Sequence, residues 1–213
     1  MITSWKEMKV KHLIQIRDID KTRNSEDEKN LMVGALLAGM KYDDFIQLPL
    51  SKTRTYMEKA QFIRTTKPEK VKARKHYKIN GKKYRLDTKI EDLTVAQYID
   101  FQALDPDSFD ERIAELLAVF LIPEGHKYND GYDIQETVED IWEMSVGEAL
   151  GVADFFIQRY IKSMKHLLMY LRGKMIWTRM RAKKEDKERM RALELEINLM
   201  TEEMEALLDG WAL

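Results

Sequence analysis

The chain has no cysteine. That excludes a disulfide framework, a thiolate metal site and a thiol nucleophile. It agrees with a reducing cytoplasm, or with a particle assembled there. No apolar run reaches the roughly 18 residues that a bilayer-spanning helix needs. The opening "MITSWKEMKVKH" has neither the apolar core nor the small-residue cleavage site of a secretory signal. The expectation is a cytoplasmic, soluble product with no membrane attachment. Histidine is scarce, with four residues (His12, His76, His126, His166), and no two of them share a metal-ligand spacing. There is no glycine-rich phosphate cradle and no serine in a nucleophile elbow.

What is abundant is charge set in a helical pattern. Of 213 residues, 44% are hydrophobic and 34% charged, enough apolar side chain for a sizeable core. The net charge of −1 hides a partition. Residues 52–85 carry 13 basic and 2 acidic side chains (+11), and residues 86–150 carry 3 and 17 (−14). Residues 172–191 carry 9 and 3 (+6), and residues 192–213 carry 0 and 6 (−6). Blocks of opposite sign suit copies that dock basic face to acidic face. They suit equally a single fold whose faces neutralise one another.

Periodicity and caps place the elements. "SWKEMKVKHLIQIRDI" has near-helical apolar spacing from Trp5 to Ile19. Ser25 and Glu28 form a capping box, and Gly39 fits that helix's stop. A short helix or turn, "YDDFIQLPL", precedes a fourth helix in "SKTRTYMEKAQFI", and the basic "TTKPEKVKARK" reads as an exposed linker. "HYKINGKKYRL" changes period around Asn80-Gly81, the strongest short signal for a two-residue hairpin, and is expected to be the sole sheet. Thr94 with Gln97, Ser108 with Glu111, Asp133 with Glu136 and Ser145 with Glu148 mark four further helix starts. The helix opened at Ser108 is expected to stop before Pro123. The helix opened at Ser145 is apolar on most of its circumference and reads as the central core helix. In the C-terminal stretch Leu193, Ile197, Met200, Met204 and Leu207 follow alternating steps of four and three, a short heptad seam.

These signals predict a mainly α fold: a multi-helix domain with one small β-hairpin and a long C-terminal helix able to form a coiled coil. They divide the chain into an N-terminal helical region (1–66), a basic linker and hairpin (67–90), a central helical core (91–172) and a charged amphipathic C-terminal helix (173–213).

The stretch "LIPEGHKYNDGYDI" has the dress of an active-site loop. A calcium loop needs ligands at alternating positions, and here the alternation fails. A hydrolase centred on His126, Asp130 and Asp133 requires those side chains to share a cleft. Asn129-Asp130-Gly131 is also turn chemistry and Asp133 an N-cap, so a rigid corner is the expected reading. The +11 block interleaves lysine and arginine with Tyr56, Phe62, Tyr77 and Tyr84, which suits phosphate and base contacts. Lys72, Arg74, Lys75, Lys82 and Lys83 are its candidate patch.

Four motifs taken together, "YKINGKKY" (77–84), "TVAQYIDFQ" (94–102), "AVFLIPEGHKYNDGYDI" (118–134) and "EALGVADFF" (148–156), resemble a family of uncharacterised proteins of tailed bacteriophages of gut Bacteroidetes, crAss-like phages included. The resemblance covers roughly residues 5–172 and brings no functional residues with it. It implies a virion or assembly product: a portal- or tail-proximal component, a packaged cargo protein or a tail assembly chaperone. The expected protein is a non-enzymatic homo-oligomer without metal or cofactor, touching other phage structural proteins. The alternative is a nucleic-acid-binding accessory protein using residues 52–85.

Overall fold

A computed structural model describes residues 1–86, 93–104 and 112–159, with positions 162, 169, 195, 198, 199, 201 and 202 beyond them. The chain divides into two units, Met1–Ala153 and Asp154–Leu213.

The first unit is mainly helical with a small antiparallel sheet, the expected class. It begins with α1 (Val10–Asp20), α2 (Glu26–Ala38), α3 (Tyr42–Ile46), α4 (Leu50–Ala60) and the single turn α5 (Phe62–Thr65). Local chemistry sets α2. The Ser25 side chain accepts from the Glu28 amide, and Gly39 closes the helix at φ 69°, a left-handed conformation that glycine adopts without a Cβ penalty. α1 starts later than its periodicity suggests. Trp5 and Met8 precede it because residues 8–10 pair with 144–146 instead: Val10 N–H donates to Met144 O and Val146 N–H to Met8 O, both at 3.0 Å. Met8 is fully buried by this pairing.

The hairpin is β1 (His76–Ile79) and β2 (Lys82–Leu86), antiparallel with Tyr77 opposite Tyr84. Asn80 and Gly81 take φ of 49° and 83°, the paired positive values that a two-residue turn of this twist demands. The expectation of a lone hairpin needs correction. Leu121–Pro123 forms β3, pairing antiparallel with β2 through Arg85–Ile122 and Leu86–Leu121. The helix expected to open at Ser108 and run to just before Pro123 therefore ends at Phe120, and its last apolar residues become strand. A two-stranded ribbon is marginal alone, and β3 supplies the third strand with a buried face.

Between β2 and β3 come α6 (Val95–Gln102) and α7 (Ile113–Phe120). Gln97 both completes the Thr94 capping box and reaches α7. Its Oε1 accepts from Thr94 N–H at 2.9 Å, and its Nε2 donates to Val119 O at 2.9 Å, one of the carbonyls α7 leaves orphaned at its end. The Ser108 and Glu111 cap lies outside the described residues. α7 is the centre of the core: Ile113, Ala114, Leu116, Leu117, Ala118, Val119 and Phe120 are all buried. It packs against α6 and α8 (Ile134–Trp142).

Residues 146–159 are helical, Ser145 capping the start through the Glu148 amide at 3.4 Å. In the second unit Phe155 and Phe156 meet edge to face, with the Arg159 guanidinium over the Phe155 ring at 4.5 Å. The seam residues Leu193, Ile197, Met200, Met204 and Leu207 lie outside the described residues. The neighbouring positions 195, 198, 199 and 202 are helical and exposed.

Candidate functional site

Two places gather polar side chains. In the first, the hairpin is fastened to α8 by a buried carboxylate. Asp140 is 3% exposed. Its Oδ1 accepts from Asn80 Nδ2 at 2.9 Å, and its Oδ2 accepts from the Tyr84 hydroxyl at 2.5 Å and pairs with Lys82 Nζ at 2.8 Å. Burial alone would push the Asp140 carboxyl up, but the bonds from Lys82, Tyr84 and Asn80, with the Lys82 charge, outweigh it and hold the group below its ordinary value of 3.8. Burial, then the bond to Asp140 and its charge, push the Tyr84 phenol well above the usual tyrosine range. Bonds to Asp140 and Glu136 hold the Lys82 ammonium charged. The trio is thus a fixed anion, a fixed cation and a protonated phenol. Asn80, Lys82 and Tyr84 all donate to Asp140, and Lys82 also to Glu136, an arrangement suited to fastening.

The second place surrounds residues 66–74. Val71 N–H donates to Gly147 O at 2.9 Å. A Cβ built on Gly147 would lie 2.7 Å from Glu69 O, and one on Gly151 only 1.7 Å from Val71 O. Two residues of this segment thus match one four-residue step of the helix. The fit is metric, since extended backbone advances about 6.6 Å in two residues and a helix about 6 Å in four. The expected exposed linker is exposed over most of its length, and it forms a strap laid along a track of two glycines. Arg74 anchors its end: the guanidinium pairs with Glu148 and lies 5.3 Å from the Tyr77 ring centroid, and its backbone N–H donates to the Tyr77 hydroxyl at 2.8 Å.

Strap, N-terminal segment and the start of the 146–159 helix line an open cleft of about 910 Å³. Trp5 forms part of its wall, edge-on to Phe62 at 5.5 Å, with Nε1 donating to Thr66 O at 3.0 Å and to Thr66 Oγ1 at 3.1 Å. Lys6, Lys67 and Lys72 also line it; all three are exposed and have no ion partner among the described residues.

The five residues of the sequence-derived patch do not act as one surface. Lys82 and Arg74 are paired as above, and Lys83 stands 3.8 Å from Glu124. Lys72 and Lys75 are exposed, and only Lys72 and Arg74 line the cleft. Three cations of the +11 block, Arg74, Lys82 and Lys83, thus meet carboxylates of the −14 block inside one chain. Lys6 and Trp5, which the patch omits, join it through the 8–10 and 144–146 pairing, a long-range contact without a local sequence signature.

The loop 124–133 is a corner held by its own groups. His126 Nδ1 lies 3.3 Å from the Asp130 backbone carbonyl, and Asp133 accepts from Gln135 N–H at 2.8 Å as the N-cap of α8. The Tyr128 hydroxyl donates to Asp100 on α6 at 2.6 Å, and the tyrosine is buried. No side-chain hydrogen bond or ion pair joins His126, Asp130 and Asp133. Glu136, expected in a capping box, pairs instead with Lys82 at 2.6 Å. No group of three or more metal-ligating side chains occurs among the described residues. Compared with protein-family models, curated proteins and solved structures, the chain matches none.

Proposed function

We propose that the chain is a non-enzymatic structural or assembly component of a tailed-phage particle, working through protein–protein contacts with copies of itself and with other particle proteins. One observation carries this reading. Val95, Tyr98 and Ile99 on α6 are 76%, 49% and 59% exposed. Their spacing of three and four sets them on one side of the helix, and a contiguous apolar row in solvent marks a contact surface. The row falls inside "TVAQYIDFQ", one of the stretches that carries the phage resemblance. The buried polar side chains Asp140 and Gln97 support it, since both bond within the fold.

Two measurements test the proposal. Mass spectrometry of purified particles should find the chain at a defined copy number if it is a portal- or tail-proximal component or a cargo. A tail assembly chaperone would be abundant in infected cells and missing from mature particles. Light scattering over a concentration series should show association, and Val95→Lys/Ile99→Lys should shift it toward monomer by at least about tenfold, a loss on the scale of two buried apolar side chains. A chain that stays monomeric at every concentration and is absent from both particles and assembly intermediates overturns the reading.

A further inference from the structure

We propose that the cleft beside the strap is a binding groove for single-stranded nucleic acid, gripped through its phosphates by Lys6, Lys67 and Lys72. This goes beyond the assembly reading, and either can fail alone. The +11 block suggests a basic surface, but the fold removes most of the obvious candidates. Lys82 and Lys83 face Glu136, Asp140 and Glu124, and Arg74 is held by Glu148. Of the block's remaining exposed lysines, Lys67 and Lys72 line the cleft, and Lys6 joins them there. The cleft lining carries five cations against two carboxylates, and Lys6, Lys67 and Lys72 have no ion partner among the described residues.

The shape of that charge selects the ligand class. A single phosphate is bound by donors that converge on a point. Here Lys67 and Lys72 are spaced along a strap, separated by up to about 16 Å of extended backbone. The Gly147 and Gly151 track holds that strap in place, and Lys6 enters from the N-terminal segment. A row of lysines beside an open cleft complements a row of phosphates. The wall also carries an aromatic ring that does not have to be ordered on binding. Trp5 is fixed by its two bonds to Thr66 and its edge contact with Phe62, and it is only half-buried. Aromatic rings beside a basic track are the means by which proteins hold unpaired bases without reading sequence. An acidic protein segment would satisfy the lysines and leave the ring without a role.

The test uses the full chain and a labelled oligothymidylate of roughly 16 nucleotides, followed by fluorescence anisotropy across a salt series. Binding is expected at low salt, with a log–log salt slope of about −2, three contacts at roughly 0.7 each. Lys6→Glu/Lys67→Glu/Lys72→Glu should weaken binding at least about tenfold with an unchanged far-UV circular dichroism spectrum, the three positions being exposed. Lys52→Glu/Lys59→Glu removes as many block charges from α4, away from the cleft, and should stay within about threefold of the parent. The proposal is overturned by any of four results: no binding at low salt, full binding by the triple variant, equal loss in the α4 control, or displacement by polyglutamate as readily as by unlabelled oligonucleotide. A duplex that binds more tightly than the single strand overturns it as well.

Discussion

The two halves of the basic block resolve their charge in opposite ways. In the hairpin, Lys82 finds Glu136 and a buried Asp140, and Lys83 approaches Glu124, so basic residues of β2 and acidic residues of α8 and its approach cancel at short range. Along the strap, ten or so residues earlier, Lys67 and Lys72 are exposed and line the cleft with Lys6. Composition does not distinguish the halves; the neighbours do. Lys82 of the hairpin meets carboxylates on the element it lies on, whereas the strap meets two glycines that offer backbone, and the Glu148 beside them is taken by Arg74. Charge counted along a sequence thus says little until the fold shows which charges meet.

The strongest way to break the contrast is to remove the acceptor on the hairpin side. Asp140→Ala leaves the buried Tyr84 hydroxyl and the Asn80 amide without their partner and should destabilise the fold by about 3 kcal/mol, read by urea denaturation. The same group sets an acid limit. Its folded pKa is depressed below 3.8, so its contribution is fully present above that value and is lost as pH falls through the lower folded value. Melting temperature should fall along that acid limb in the parent, and Asp140→Asn should flatten it.

On the strap side, Gly151→Ala places a methyl group where the Val71 carbonyl already lies. Since the methyl group has no rotamer to escape into and the carbonyl is backbone, the strap must lift and Val71 N–H must leave Gly147. The expected cost is about 2 kcal/mol, with cleavage by trypsin after Lys70 or Lys72 appearing well before cleavage elsewhere. A smaller change sharpens the comparison from the side. Asp133→Ala removes the α8 cap and should cost about 1 kcal/mol, fraying the turn that carries Glu136 while leaving Asp140 seated. If Asp133→Ala proved as damaging as Asp140→Ala, the buried carboxylate would not be the main fastening.

The features legible in the sequence are those set within three or four residues. Ser25, Thr94 and Ser145 each accept from the amide three residues on, as their spacing indicates, Asp133 caps through Gln135 instead, and Asn80-Gly81 turns as its backbone preference requires. What escaped is set by distant partners. Leu121–Pro123 reads as the tail of an apolar helix until β2 is there to pair with it. Trp5 and Met8 keep helical spacing but are drawn off by residues 144–146. Asp140 left a trace: it stands three residues from Thr137 beside the apolar stripe of α8, where a carboxylate must find donors. Gly147 and Gly151, four apart at the start of a core helix, were the mark of a backbone crossing, and nothing local named its occupant.

The strap joins residues 71 and 147, and that separation governs the order in which the molecule is made. The chain segment that lies on the glycine track leaves the ribosome long before the track does. Closing so large a loop early costs entropy with nothing yet to compensate it. The hairpin and strap therefore wait for α8 and the helix after it, and until then this lysine-rich stretch is open to whatever the nascent chain meets first.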